Sequence, residues 1–198
     1  MHKKYANIFL KKSYIGKINL VCINITGDNI SKMKIRKATL NDLDTLMKIY
    51  AHAREEMIKN NNPHQWKDVE PEKDKVISRI NDGVHYVIEE NGPICGTFSL
   101  IPGRDPTYEH INGKWLNDLP YLTIHTIASN NTVKGILKAT IDYGFSICNT
   151  IRIDTHIDNK IMIHLLEKYG FTFCGVIRLL NLEPRQAYMK TMNIEGVK

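Results

Sequence analysis

Between Ile127 and Lys138 the chain reads Ile-Ala-Ser-Asn-Asn-Thr-Val-Lys-Gly-Ile-Leu-Lys: the end of an apolar strand, a short polar turn, and a helix opened through a glycine. Such a turn aims the unpaired N–H groups of the first helical turn, and the positive end of the helix dipole, at whatever lies beyond the strand. The chemistry this suits is anion binding, of a phosphate or pyrophosphate. Two residues before Ile127 stands His125, inside the run Tyr121-Leu122-Thr123-Ile124-His125-Thr126-Ile127. A neutral imidazole near pH 7 can take a proton from an amine or hold a water that does. The other reading of His125 is a core histidine satisfied by a neighbour. Strand alternation puts it on the face of Thr123 and Ile127, opposite Ile124 and Thr126.

The elements that must position these groups follow from pattern. Ile35 to Ala38 reads as a first strand, and Thr39 as the N-cap of a helix carrying Leu43, Leu46, Met47 and Tyr50 at helical spacing. Asn60-Asn61-Asn62-Pro63 ends that helix, and Pro71 through Ile80 suggests another with Val76, Ile77 and Ile80 inward. Val84 to Glu89 and Ile94 to Leu100 flank Glu90-Asn91-Gly92-Pro93 as a hairpin. A long connection, Ile101 to Pro120, carries Asp105, Tyr108, Glu109, His110, Trp115, Asn117 and Asp118. Connections of that length are usually functional or mobile. Val133, Ile136, Leu137, Ile141 and Phe145 make one apolar helix face, and Met162, Leu165, Leu166 and Tyr169 another. Phe171 to Arg178 and Ala187 to Lys190 close the pattern as an antiparallel strand pair.

About twenty residues after the glycine turn come a strand, Ile151-Arg152-Ile153-Asp154-Thr155, then Asp158-Asn159-Lys160, a short helix, and Leu166-Glu167-Lys168-Tyr169-Gly170-Phe171. This order resembles the GCN5-related N-acetyltransferase (GNAT) superfamily over roughly Met33 to Lys190. The resemblance implies an α/β (α+β) fold, a mixed, mostly antiparallel sheet of six or seven strands flanked by helices. It also implies acetyl-CoA as co-substrate and transfer of its acetyl group to a primary amine of a small molecule or peptide, by direct attack in a ternary complex. Ile127 and Ser129 would then face the pantetheine arm; Val133, Lys134, Gly135, Ile136, Leu137 and Lys138 would form the pyrophosphate loop. Asn159 would bond pantetheine or the thioester, a role compatible with an N-cap. The family's usual loop has Arg or Gln where Thr132 stands and a small residue where Leu137 stands, and the position of its usual acid, a tyrosine, holds Leu166. Trp66 becomes a wall of the acceptor pocket, its alternative being a tryptophan packed over helix ends. Tyr108, Glu109, Trp115 and Asp118 are the further substrate-binding candidates. The rival reading is a non-catalytic module of the same fold that binds CoA or a protein partner.

Composition narrows the classes. With 198 residues, 42% hydrophobic and 24% charged, the chain suits one domain. The net charge of +6 is concentrated at the start. Residues 1–32 hold six lysines and one acid, whereas from Met33 onward there are 21 basic and 20 acidic residues. A nearly neutral domain over 33–192 argues against a nucleic-acid binder. Residues 1–32 are expected to be a poorly ordered extension, with organelle targeting as the lesser reading. The four cysteines form no C-x-x-C pair, which points to reduced thiols in the cytoplasm and to no metal. No apolar run approaches the roughly 20 residues that span a bilayer. The sequence leaves room for a homodimer.

Overall fold

The computed structural model describes residues 33–66, 70–103 and 105–192; the extension expected over 1–32, and Cys22 within it, lie outside the described residues. β1 (Met33–Lys37) leads into a 3-10 turn and α1 (Leu43–Lys59), followed by α2 (Lys73–Asn81), β2 (His85–Glu90) and β3 (Ile94–Pro102). A short 3-10 turn (Pro106–Tyr108) precedes β4 (Ile111–Gly113) and β5 (Leu122–Ser129). Then come α3 (Ile136–Phe145), β6 (Thr150–Thr155), α4 (Lys160–Lys168), β7 (Thr172–Arg178) and β8 (Pro184–Thr191).

These elements build one eight-stranded sheet in the order β1-β2-β3-β5-β6-β8-β7-β4. Every neighbouring pair is antiparallel except β5 and β6. The strand beyond the expected six or seven is β4, which pairs with β7 inside the stretch read as an unstructured connection. Three residues are too few to show alternation. The pairing brings the two backbones together at Gly113 and Gly175, where a Cβ on either would collide with the opposing main chain.

Both sheet faces are covered. Tyr86, Ile88, Phe98, Leu100, Ile124, Ile151 and Ile153 pack with Ile136, Leu137 and Ile141 of α3 and with Leu166 of α4. On the other face Val87 and Ala128 pack with Leu46, Ile49 and Tyr50 of α1 and Val76 and Ile80 of α2. α1 is tied down at its start by Asp42, whose carboxylate accepts the Thr39 amide at 2.7 Å and pairs with Arg36 at 2.8 Å. The Arg36 guanidinium holds Asp42 down to about 2. The β2–β3 hairpin turns on Asn91 and Gly92, both at positive φ (52° and 111°), as a two-residue turn of this hand requires. Cys95 and Cys174 are buried and Cys148 is half-buried, all with free thiols. Among the described residues no helix is long and apolar enough to cross a membrane.

Candidate active site

The site begins where the one parallel pairing fails. β5 and β6 are joined at Leu122–Ile151, Thr123–Arg152 and Ile124–Ile153, and the ladder stops there. From His125 to Ser129 the edge of β5 leaves β6, and a slot opens between them.

The other edge of β5 carries a bulge. Thr97 pairs with Ala128 and Ser99 with His125, so one residue of β3 faces two of β5, Thr126 and Ile127. Thr126 has φ +49°, a conformation that costs a β-branched residue about 1–3 kcal/mol and persists only where its surroundings hold it. Here Tyr50 Oη donates to the Thr126 carbonyl at 3.2 Å, and Arg79 Nη1 donates to Thr126 Oγ1 at 3.0 Å. Ser99 Oγ lies 3.1 Å from the same Oγ1. Below, His85 spans Ser99 Oγ (Nδ1, 2.8 Å) and Thr97 Oγ1 (Nε2, 3.1 Å). Burial, and then the Arg79 charge, push His85 down to about 4, so it is neutral.

The bulge corrects the face assignment made from alternation. Ile127 packs against the same cluster as Ile124, on the α3–α4 side, and Ala128 against α1 and α2. Ile127 therefore does not share the face of His125, because the extra residue reverses the pattern between them.

His125 sits at the root of the slot. Its Nε2 is 2.8 Å from Asp105 Oδ2, and its Nδ1 is 3.9 Å from Asp154 Oδ1. Asp105 is fixed by its own turn, Oδ1 accepting from the Thr107 amide at 2.9 Å and the Thr107 hydroxyl at 2.6 Å. Burial alone would raise the Asp105 carboxyl, but the bonds from His125 and Thr107 reverse this and hold it well below the usual carboxylate range. Tyr108 Oη donates to Asp154 Oδ1 at 2.6 Å; burial and the adjacent carboxylates hold this phenol protonated, far above its ordinary range. His125 thus has carboxylates for partners and lines the cleft.

That cleft has room for about 420 Å³ and is lined by Trp66, Ile124, His125, Thr126, Asp105 and Asp154, with Lys75 and Arg79 of α2 and residues 179–181 at its rim. A second hollow of about 280 Å³ continues it past Ile127, Ala128 and Ser129 to Asn131, Lys160 and Ile161. Met57, Ile127 and Asn159 line both.

The structure separates the substrate-binding candidates. Trp66 lines the cleft and meets Tyr50 edge-on at 5.6 Å between centroids. Tyr108 is buried beneath it. Trp115 stacks on Tyr108 at 5.5 Å and takes the Arg152 guanidinium on its ring, and it supports the wall without lining the cleft. Glu109 and Asp118 are exposed and outside the lining, because the 3-10 turn and β4 carry their segment away.

For the cofactor candidates, Gly135 caps α3 at φ +92°, and Lys134 before it is exposed. The side chains of Ile136 and Leu137 are buried in the core, which leaves their first-turn amides as the groups able to meet an anion. Val133 packs against the same core. Lys138 is engaged by Asp142 at 2.6 Å, one helical turn on. Thr132 closes the turn on itself, its amide and hydroxyl donating to Asn130 Oδ1. Ser129 lines the second hollow and donates to Asn131 Oδ1 at 3.0 Å. Asn159 is the N-cap of α4, its Oδ1 accepting from the Met162 amide at 3.0 Å while its Nδ2 donates to Gln65 Oε1 at 2.7 Å. Gln65 Oε1 also accepts from Asn62 and Thr155, both at 3.1 Å. Leu166, at the tyrosine position, is fully buried.

The sequence does not mark Asp105, Asp154, Arg79 or Gln65 as site residues. Asp105-Pro106-Thr107 is a legible capping signature, but nothing in it tells that the second carboxylate oxygen reaches His125. Among the described residues no group of three or more His, Cys, Asp or Glu side chains is arranged to hold a metal ion.

The slot suits an extended acyl-thioester arm. A strand edge with no ladder partner offers amide and carbonyl groups to amide bonds, and Ile127 and Met57 offer apolar contact, while residues 132–138 line neither hollow.

No protein-family model and no curated protein matches the chain. Among solved structures it is similar to an acetyltransferase of the GNAT family from Streptococcus agalactiae, with 32% identity over 88% of this chain and 99% of that one, at a TM-score of 0.73. A proposed acetyltransferase from Staphylococcus aureus Mu50 shares 22% identity over 80% and 99% of the two chains, at 0.60. A proposed acetyltransferase from Salmonella typhimurium, solved with its cofactor acetyl-CoA, shares 17% over 85% and 98%, at 0.56. The chain belongs to the GNAT family of acetyltransferases.

Proposed function

We propose that this protein transfers an acetyl group from acetyl-CoA to a primary amine of a small molecule or peptide, the amine attacking directly in a ternary complex. The observation that carries the reading is His125 at the root of the slot, with Asp105 on its Nε2. A carboxylate there fixes the imidazole with its proton on Nε2 and leaves Nδ1 to accept. His125 is then the group that takes the proton the amine must lose, directly or through one water. Asp154, 3.9 Å from Nδ1, stabilises the imidazolium that results. Tyr108 donates to Asp154 and orients it. Ile127, Ser129 and Asn159 hold the pantetheine arm, and the amides of Ile136 and Leu137, with Lys134, receive the pyrophosphate. When bound, acetyl-CoA supplies a thioester, whose acyl carbon accepts the amine and whose thiolate leaves. The thiolate of a thiol with an ordinary pKa near 8.5 can take its proton from water, so the buried Leu166 does not preclude turnover.

The test is calorimetric titration with acetyl-CoA, followed by an amine panel scored for free thiol release. His125→Ala should lower turnover by about 10² at neutral pH, with partial rescue as pH rises and more of the amine is already neutral. Acetyl-CoA affinity should stay near that of the unaltered protein. Acetyl-CoA binding with no thiol release from any amine would favour the non-catalytic module.

A further inference from the structure

The cleft is lined by charged groups of both signs. His125, Asp105 and Asp154 lie at the root of the slot, while Lys75 and Arg79 stand one turn apart on α2. A third cation, Arg185, is already satisfied by the Glu183 carboxylate and the Gln65 carbonyl, both at 3.1 Å. Arg79 is different. Its Nη1 donates only to neutral hydroxyls, Ser99 Oγ at 3.3 Å and Thr126 Oγ1 at 3.0 Å, and among the described residues no carboxylate lies within 4.0 Å of it. Glu70 lines the same wall without pairing to it.

A guanidinium is always charged, and hydroxyls stabilise it far less than a carboxylate does. Burial works against the Arg79 charge, and Tyr50 and Asp105 offset that only from a distance. The remaining donors of a planar fork that faces a cleft are matched by a carboxylate on the ligand. The position is telling, since Arg79 is bonded to Thr126, the residue after His125. The group that accepts the amine's proton and the group left short of an anion are therefore neighbours. The cleft that both line also offers apolar surface from Trp66, Ile124, Met162, Leu179 and Leu180.

We infer that the acceptor carries a carboxylate beside its amine, the chemistry of a free amino acid with an apolar side chain, and that Arg79 receives that carboxylate. The inference rests on the acetyl-transfer reading above and narrows it, for a peptide N-terminus has an amide where the carboxylate would be.

The probes are leucine, leucinamide and 3-methylbutylamine, which share a side chain and differ at the carboxylate. Thiol release with the full chain should favour leucine over both others by about 10- to 100-fold in kcat/KM, the worth of one hydrogen bond to a charged partner. Leucinamide has the more readily deprotonated amine, so a preference for leucine runs against intrinsic reactivity. In Arg79→Gln the ratio of leucine to leucinamide, taken within the one enzyme, should fall toward unity, and Arg79→Lys should recover part of it. Should Arg79→Gln fail to fold, the ratio in the unaltered protein still decides. Calorimetry on the CoA-loaded protein separates this inference from the reading beneath it. Leucine binding with no transfer to any amine would sink acetyl transfer and leave the carboxylate site standing. Equal handling of leucine and leucinamide, or binding of neither, would overturn the inference.

Discussion

Replacing Asp105 by asparagine tests the orientation of His125 with little change of shape. In the native site a carboxylate oxygen lies 2.8 Å from Nε2 and the other oxygen is occupied by Thr107. An amide in its place has one oxygen and one NH2. With the oxygen kept on Thr107, its NH2 faces Nε2, which must then become the acceptor and send the ring proton to Nδ1. The atom needed to take the amine's proton is thereby blocked. With the amide turned the other way, the Thr107 amide loses its acceptor and the turn loosens. Either outcome removes general-base assistance, worth about 10²–10⁴ in rate. We expect kcat/KM to fall by about 10²–10³, or about 2.7–4 kcal/mol of barrier at 1.36 kcal/mol per tenfold. Losing a hydrogen bond to a charged group should also lower Tm by about 5 °C in a domain of this size. The assay is thiol release between pH 6 and 9, with acetyl-CoA affinity measured alongside. Asp105 is held below the usual carboxylate range when folded, so its contribution is complete above its unfolded value of 3.8 and is lost only at more acid pH. Its titration will not shape the native profile in that window. Turnover within threefold of native, at unchanged acetyl-CoA affinity, would refute the orientation argument.

Three further outcomes are expected. Lys134→Glu reverses an exposed charge at the start of α3 and should weaken acetyl-CoA binding about fivefold or more at low salt, by calorimetry; it is a cleaner probe than Gly135→Glu, which adds strain at φ +92°. An affinity insensitive to that charge would move the pyrophosphate elsewhere. His85 titrates near 4 when folded and 6.5 when unfolded, so the unfolded chain takes the proton first and stability falls as pH drops through that interval. Denaturant unfolding should show about 2 kcal/mol less stability at pH 5 than at 7.5, whereas a flat profile would mean that the imidazole is solvated. Gly175→Ala should cost about 2 kcal/mol by forcing β4 off β7, and a thermal melt equal to native would show the pairing to be dispensable.

The sequence made the frame legible through features that obey local rules. Asn91-Gly92 gave the hairpin, Gly135 the start of α3, and the spacing of Leu46 and Tyr50 the buried face of α1. It failed where one residue is set by another far away. Thr126 looks like any strand threonine, yet Tyr50, Arg79 and Ser99 hold it in a bulge, and the alternation argument breaks there. Asp105 reads as a cap, and its bond to His125 spans twenty residues. Glu109 and Asp118 read as site residues by type alone, on a stretch whose path depends on β4, a strand too short to carry a period.

The two hollows overlap only at Met57, Ile127 and Asn159, and their remaining linings belong to different rims: α2 and residues 179–181 for one, the end of α1 and the start of α4 for the other. A molecule in either compartment leaves the other with its own doorway. On the acetyl-transfer reading proposed above, each reactant would have its own way in and each product its own way out. Two such doorways predict random-order kinetics, with intersecting initial-rate lines and no obligatory first leaver.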